Sequence, residues 1–309
     1  MQQRFNHHGS ARKVGGTALA IIALAALSAC GGGGGGDNTP ATVSAMSVAA
    51  TKYGTPTLVT VTGTHLGNMS LQAPGCKNIT RLTTAPTAST DTTAYFSCTP
   101  SGAYTSNISA VGNGAALNTQ ALVVPAPVVT MTVTGGGGGS VNGQIVFHLR
   151  GDLAPITVDN FLAYVNSGFY TGTIFHRVVA GFVVQGGGYG AATSGTLPSP
   201  KPVTYGPINL ELTGGSNVQW TAAMARTSDD NSATSQFFFN LLDNSTVLDK
   251  SSTTHGYAVF ADVTSSAAVI QSIVAATPCS AIVQSGVPIG DGSCVPIPNV
   301  VITSATQTQ

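Results

Sequence analysis

Apolar and β-branched residues gather in short runs set off by turn residues along most of the chain. Leu58–Gly63 (LVTVTG) and Ala94–Cys98 (AYFSC) alternate apolar with polar positions, and Ala121–Val124 (ALVV) is a third such run. Period-two alternation marks a half-buried strand. Residues 128–134 (VVTMTVT) alternate again, and Gln144–Leu149 places Ile145, Phe147 and Leu149 on one face. Two stretches repeat at helical spacing instead. After Pro155, the residues Val158, Phe161, Leu162 and Val165 follow i, i+3, i+4, i+7, with Thr157 as the expected N-cap and Gly168 as the stop. A second helix is predicted from about Ser266, with Val269, Ile270, Ile273 and Val274 inward, ending before Pro278. The pattern predicts a mainly β chain with two amphipathic helices, of the kind that plug the ends of a closed barrel. The strand and turn spacing over 41–124 predicts a small β-sandwich. Pro125-Ala126-Pro127 marks a boundary, so a second domain runs over 128–309. Within it, Gly135–Gly139 joins two strands rather than two domains.

Composition narrows the function. The chain has 309 residues, of which 7% are charged, against about 25% in ordinary soluble chains. Eleven basic residues balance eleven acidic ones. A nucleic-acid binder needs a basic surface to replace phosphate counterions, so the balance argues against that class. Hydrophobic residues make up 42%, which argues for a packed core and against disorder.

The N-terminus reads as an address. Arg4, Arg12 and Lys13 form a basic n-region, and Val14–Leu27 is an uncharged, mostly apolar stretch of 14 residues. A bilayer span takes about 20 residues, so this length suits a secretion signal over 1–29. The signal ends in Leu27-Ser28-Ala29-Cys30, which resembles a bacterial lipobox. The resemblance implies that Cys30 is lipidated and becomes the first residue of the mature chain. Stable anchoring needs more than one acyl chain, each adding about 0.8 kcal/mol per buried methylene. Gly31 stands where an Asp would resemble an inner-membrane retention signal, so the expected location is the outer membrane, facing the periplasm. Residues 30–40 form a Gly-rich tether. Removal of 1–29 leaves 8 basic and 11 acidic residues, a formal charge of −3.

Export changes the meaning of the remaining cysteines. Cys76, Cys98, Cys279 and Cys294 allow three pairings, and an oxidising compartment favours disulfides. Pairing by domain gives Cys76–Cys98 and Cys279–Cys294, each a local loop whose closure contributes about 3 kcal/mol. There is no CxxC and no His beside either pair, so no metal is expected. The stretch Thr57–Leu66 (TLVTVTGTHL) resembles the opening of immunoglobulin-like IPT/TIG modules, which makes 41–124 a spacer or a binding module, with an adhesin-like role as a weaker idea.

One stretch carries the most information: Phe175-His176-Arg177-Val178-Val179-Ala180-Gly181-Phe182-Val183-Val184-Gln185-Gly186-Gly187. It resembles the cyclophilin signature. Three further segments agree in family order: Leu153–Phe161, Ala223–Thr227 with Ser235–Asn240, and Val247–Asp249 with His255–Phe260. The resemblance spans roughly residues 141–305. It implies an eight-stranded antiparallel closed barrel capped by two α-helices, and peptidyl-prolyl cis-trans isomerase activity without a cofactor.

The chemistry asked of such a site is specific. An X–Pro bond rotates over a barrier of about 20 kcal/mol that comes from partial C–N double bonding. Its cis and trans forms differ by only about 0.5–1 kcal/mol. No bond has to break, so the site must favour the twisted amide over the planar one. Twisting gives the proline nitrogen a lone pair, and a fixed cation that hydrogen-bonds there stabilises only that state. The resemblance implies Arg177 for this task, with Phe182, Gln185 and Phe238 as the other catalytic positions. Gln185 is expected to bond the substrate backbone and to help hold Arg177. Val183 and Leu248 complete an apolar slot, with Tyr257 at its edge. Ala225, Arg226 and Gln236 match positions that bind the peptide preceding proline. His176 has no proton to move and is expected to be structural; Trp220 and Met224 are expected in the core. If Phe237–Phe239 is a strand, Phe238 faces the slot and its neighbours face the core. Gly186–Gly188 is expected as a tight turn.

Two departures stand out. Val183 replaces a Met common in the family, and Val247 falls where many relatives carry Trp or Phe, which implies weak cyclosporin binding. The expected partners are proline-containing segments of envelope proteins and, through the anchor, the membrane; the chain is expected to be a monomer. The alternative is a catalytically weak proline-peptide binding or chaperone module on the same envelope.

Overall fold

Alternating runs become strands wherever one face has a core to cover. The computed structural model describes residues 39–101, 105–193, 196–212, 214–284, 287–288 and 292–309. The expected secretion signal, Cys30 and the glycine run of the expected tether lie outside the described residues. Thr39–Gln309 forms one compact unit.

Residues 42–123 build two antiparallel sheets. One has four strands, in the order Thr42–Val48, Thr57–Thr64, Thr93–Pro100, Cys76–Arg81; the other has three, Ser70–Gln72, Thr105–Gly112, Ala115–Val123. The alternation in the sequence has a direct outcome: Val59, Val61, Ala94, Phe96 and Cys98 are all buried. Cys76 and Cys98 are bonded, with Cα atoms 5.6 Å apart, and this links neighbouring strands of the four-stranded sheet. Polar links run from this region to the rest of the unit. Lys77 Nζ lies 2.9 Å from Asp159 Oδ2, and Gln307 Nε2 donates to Tyr53 O at 3.0 Å.

The remainder is organised by one antiparallel sheet of ten strands. Its order is Cys279–Ala281, Cys294–Pro296, Phe175–Val179, Val183–Gly186, Phe237–Asn240, Thr221–Met224, Val259–Asp262, Val141–Leu149, Val128–Gly135, Val300–Gln307. Val128–Gly135 pairs directly with Val141–Leu149, so the glycine run does join two strands of one sheet. Ile145, Phe147 and Leu149 share the buried face. The outer pair of strands is joined by the Cys279–Cys294 disulfide.

Among the described residues, three α-helices accompany the sheet: α1 (Pro155–Asn166), α2 (Ser245–Leu248) and α3 (Ala267–Ala275). The first and third match the predicted pair. In α1, Val158, Phe161, Leu162 and Val165 are buried; in α3, Ile270 and Ile273 are buried, with Val269 and Val274 half-buried against the same core. Ser266 Oγ accepts from Val146 N at 2.8 Å, which hooks the entry of α3 to its strand. The cap of α1 differs from expectation. Ala154 is the N-cap and Pro155 opens the helix, so Thr157 lies inside the first turn. The cap comes from a distant carboxylate. Glu211 Oε1 accepts from Ile156 N at 3.1 Å, and Oε2 accepts from Thr157 N and from Thr157 Oγ1, both at 2.7 Å. A carboxylate there satisfies orphan N–H groups and meets the positive end of the helix dipole. Met224 is core as expected, whereas Trp220 is only half-buried.

Candidate active site

Four strands of the large sheet set side chains in one transverse row. Arg177 is the register partner of Gln185, Gln185 of Phe238, and Phe238 of Ala223. Alternation along Phe237–Asn240 separates the faces. Phe237 and Phe239 join the main core, while Phe238 turns outward into a second cluster with Val183, Ala223, Leu248 and Val259. Phe182, Ala225 and Tyr257 pack around its rim. The Phe238 and Tyr257 rings meet edge to face at 5.5 Å.

A cleft of ≈ 300 Å³ opens over this cluster. Its walls are Arg177, Phe182, Val183, Gln185, Ala225, Arg226, Phe238, Leu248 and Tyr257. An adjoining depression shares Gln185, Ala225 and Arg226 with the cleft and adds Gln236, Thr227, Ser232 and Thr234. One charged end, an apolar floor and a polar neighbouring groove are thus brought together.

The polar residues are held differently from one another. Gln185 Nε2 donates to Gln236 Oε1 at 3.0 Å, so these two amides form a bridge between cleft and groove. Gly188 makes room for it: a Cβ there would lie 2.5 Å from Gln236 Cγ. Gly187, at φ +81°, would set a Cβ 2.9 Å from both Phe237 and Tyr170. The glycine run is therefore a close-packing surface under Gln236 as well as a turn. Arg226, expected to contact peptide, lines both the cleft and the groove, and its guanidinium also bonds within the protein. Nε and Nη2 donate to Gly256 O at 3.1 and 2.9 Å, Nη1 donates to Thr227 O at 2.9 Å, and Asp230 Oδ1 lies 3.5 Å from Nη1. The same group lies 4.7 Å from the centre of the Tyr257 ring. Arg226 thus buttresses the Tyr257 wall. His176 is buried behind the strand, its ring 4.5 Å from that of Tyr189. Burial pushes its imidazole down from 6.5 to about 4, and the charge of Arg177 acts in the same direction.

Residues 128–309 match a known family along nearly their whole length. Residues 128–307 fit the family described as cyclophilin type peptidyl-prolyl cis-trans isomerase/CLD. The chain belongs to the cyclophilin family. Curated relatives agree with this. A peptidyl-prolyl cis-trans isomerase of Streptomyces antibioticus is 44% identical over 166 residues, which cover 53% of this chain and 92% of the relative. Peptidyl-prolyl cis-trans isomerase B of Escherichia coli (strain K12) is 42% identical over 135 residues, 43% of this chain and 79% of the relative. Peptidyl-prolyl cis-trans isomerase A of Dickeya dadantii (strain 3937) is 48% identical over 122 residues, 39% of this chain and 60% of the relative. The cyclophilin domain is a peptidyl-prolyl cis-trans isomerase.

Of the ten residues that the motif singled out, nine line the cyclophilin cleft and the tenth, Gln236, lines the adjoining groove. Val183 is buried in the cleft floor, whereas Val247 is 55% exposed on α2, next to Leu248. Sequence reasoning missed a group of side chains beneath the cleft. Asn217, Asn240 and Asn244 are buried and hydrogen-bonded in series to Asp249. Their signal in the sequence was faint: two Asn four residues apart, just before the Leu248-Asp249 pair.

Proposed function

We propose that this cyclophilin is a lipid-anchored isomerase of X–Pro bonds in unfolded or exposed segments of cell-envelope proteins. The catalytic part rests on one observation: Arg177 stands in register with Gln185 and Phe238 at the charged end of an apolar cleft. In this reading the proline ring sits among Phe182, Val183, Phe238 and Leu248, with Tyr257 at the edge. Anchoring the ring lets the preceding residue turn against it. As the amide twists, the proline nitrogen becomes pyramidal and accepts a hydrogen bond from the Arg177 guanidinium. The planar ground state has no such lone pair, so the contact lowers the barrier rather than merely tightening binding. Gln185 and Gln236 bond the substrate backbone, and Ala225 leaves room for the residues before proline. Arg226 acts on substrate through Tyr257. No nucleophile, metal or proton transfer enters the cycle, and His176 stays neutral and structural.

We read the large sheet as a closed barrel. Without the disulfide-linked outer pair, eight strands remain, from Phe175–Val179 to Val300–Gln307. Their ends approach through an antiparallel bridge between Ile174 and Val301, with Gly172 N donating to Ile302 O at 2.9 Å and Ile302 N to Thr173 O at 2.8 Å. The helices α1 and α3 serve as its caps. Residues 41–124 then form an immunoglobulin-like module that spaces the enzyme from the membrane or binds a partner, with 30–40 as tether and 1–29 as signal. The Leu27-Ser28-Ala29-Cys30 sequence supports the anchor, and the Cys76–Cys98 and Cys279–Cys294 bonds suit an oxidising compartment. The site of action would be the outer membrane on its periplasmic side. Metabolic labelling with a radioactive fatty acid, followed by fractionation, tests the anchor. Label and membrane association in the wild type, both lost in Cys30→Ala, are expected; an unlabelled wild type in the soluble fraction would overturn it.

A further inference from the structure

Three residues that wall the apolar slot lie outside the strands. Phe182 sits in the turn between two strands, Leu248 ends the single-turn helix α2, and Tyr257 lies in the loop before Val259. A buried series of side chains links all three. Asn244 Nδ2 donates to Asn240 Oδ1 at 2.9 Å, Asn240 Nδ2 to Asn217 Oδ1 at 3.2 Å, and Asn217 Nδ2 to Asp249 Oδ1 at 2.8 Å. Each amide donates to the next in one direction, and the last acceptor is a carboxylate. Asp249 is itself fixed by Asn217 N at 2.8 Å and by the hydroxyl of Ser216.

Two amides of the series, Asn244 and Asn217, also reach backbone carbonyls of slot residues. At one end Asn244 Nδ2 also donates to Phe182 O at 2.9 Å. Next to the carboxylate, Asn217 Nδ2 approaches Leu248 O and Tyr257 O, each at 3.3 Å. The backbone repeats the connection. Leu248 N donates to Asn244 O at 2.9 Å, Asn244 N to Asn217 O at 2.9 Å, and Tyr257 N to Leu248 O at 3.0 Å. Asn240 is the register partner of Val183 in the slot floor. Phe182, Leu248 and Tyr257 are therefore all attached to the same polar series.

We propose that Asn217, Asn240, Asn244 and Asp249 are positioning residues that fix the width of the proline slot and so its preference for a five-membered ring. This rests on the reading of the cleft as the proline site. Hydrogen bonds in series strengthen one another at low dielectric, and a charged terminal acceptor adds to this. Loss of the Asn244 amide takes the donor from buried Asn240 Oδ1 and leaves Leu241 N as the bond to Phe182 O, so the Phe182 wall is tied less closely to the Leu248 and Tyr257 walls.

The test compares kcat and KM on a short X–Pro peptide and on the same peptide with the six-membered pipecolic acid in place of proline. It uses the full chain, Asn244→Ala, and Asp249→Asn, which keeps an acceptor oxygen. Asn244→Ala should lose about tenfold in kcat/KM on the proline peptide, equivalent to about 1.4 kcal/mol. Its preference for proline over pipecolic acid should shrink by about threefold or more, since a slacker slot admits the larger ring. Asp249→Asn should fall between this variant and the wild type. Equal losses on both peptides, or wild-type values on both, overturn the proposal. If Asn244→Ala does not fold, Asn244→Ser and Asp249→Asn carry the comparison, and a wild-type ring preference in both overturns it equally. A wild type that isomerises neither peptide overturns the slot assignment and the series' role with it.

Discussion

Arg177 and Phe238 stand two strands apart on one face of the sheet, both in register with Gln185. The ladder therefore fixes the distance between the charged group and the apolar anchor without help from any loop. A cleft built this way holds its catalytic geometry through rigid backbone pairing, while its outer walls come from loops and from α2.

Phe238 should matter more for holding substrate than for the twisting step. It is buried in the slot cluster and packs edge to face on Tyr257. Phe238→Ala is expected to raise KM by about tenfold with a smaller change in kcat, because the ring is gripped equally in planar and twisted states. It should also cost about 3 kcal/mol of stability in urea denaturation through the cavity it leaves. A variant that lost kcat alone would contradict this division of labour.

Glu211 should act on stability and leave turnover alone. Its carboxylate takes two N–H groups and one hydroxyl from the first turn of α1. Glu211→Ala should lower unfolding free energy by about 1–2 kcal/mol, with kcat/KM per folded molecule unchanged. Glu211→Gln, which keeps an acceptor but no charge, should lie between. Urea curves that superimpose for Glu211→Ala and wild type would remove the cap from the account.

His176 should make stability depend on pH on the acidic side. Burial lowers its folded pKa from 6.5 to about 4. Between those values the unfolded chain takes up a proton that the folded chain does not. The contribution is full above pH 6.5 and is lost as pH falls towards 4, and it amounts to about 2 kcal/mol by pH 5. The difference in unfolding free energy between pH 7 and pH 5 should shrink by that amount in His176→Gln. An unchanged difference would mean that the imidazole is solvated or already charged.

Much of this was legible in the chain because it is local. The run from Phe175 to Gly187 resembles the cyclophilin signature over contiguous residues, so the resemblance named Arg177, Phe182, Val183 and Gln185 before any contact was known. Alternation along Phe237–Phe239 gave the face of Phe238, and helical periodicity gave α1 and α3. What escaped depends on residues far apart in sequence. Thr157 has the right chemistry for a cap, but Ala154 takes the cap position and the acceptor is Glu211, 54 residues away. The bonds of Arg226 to Gly256 and its stacking on Tyr257 need the loop to have folded back. The Asn217–Asp249 bond spans 32 residues, and α2 is a single turn with no periodicity to detect.

The central claim is that Arg177 stabilises the twisted amide. The most direct measurement is the isomerisation rate of a short X–Pro peptide with the full chain and with Arg177→Ala, both confirmed as folded by circular dichroism. The account predicts a wild type well above the uncatalysed rate and a variant at least about tenfold slower in kcat/KM, about 1.4 kcal/mol of lost transition-state stabilisation. A folded Arg177→Ala that turns over like the wild type would contradict it, and a folded wild type no faster than the uncatalysed reaction would leave a proline-peptide binder in place of an enzyme.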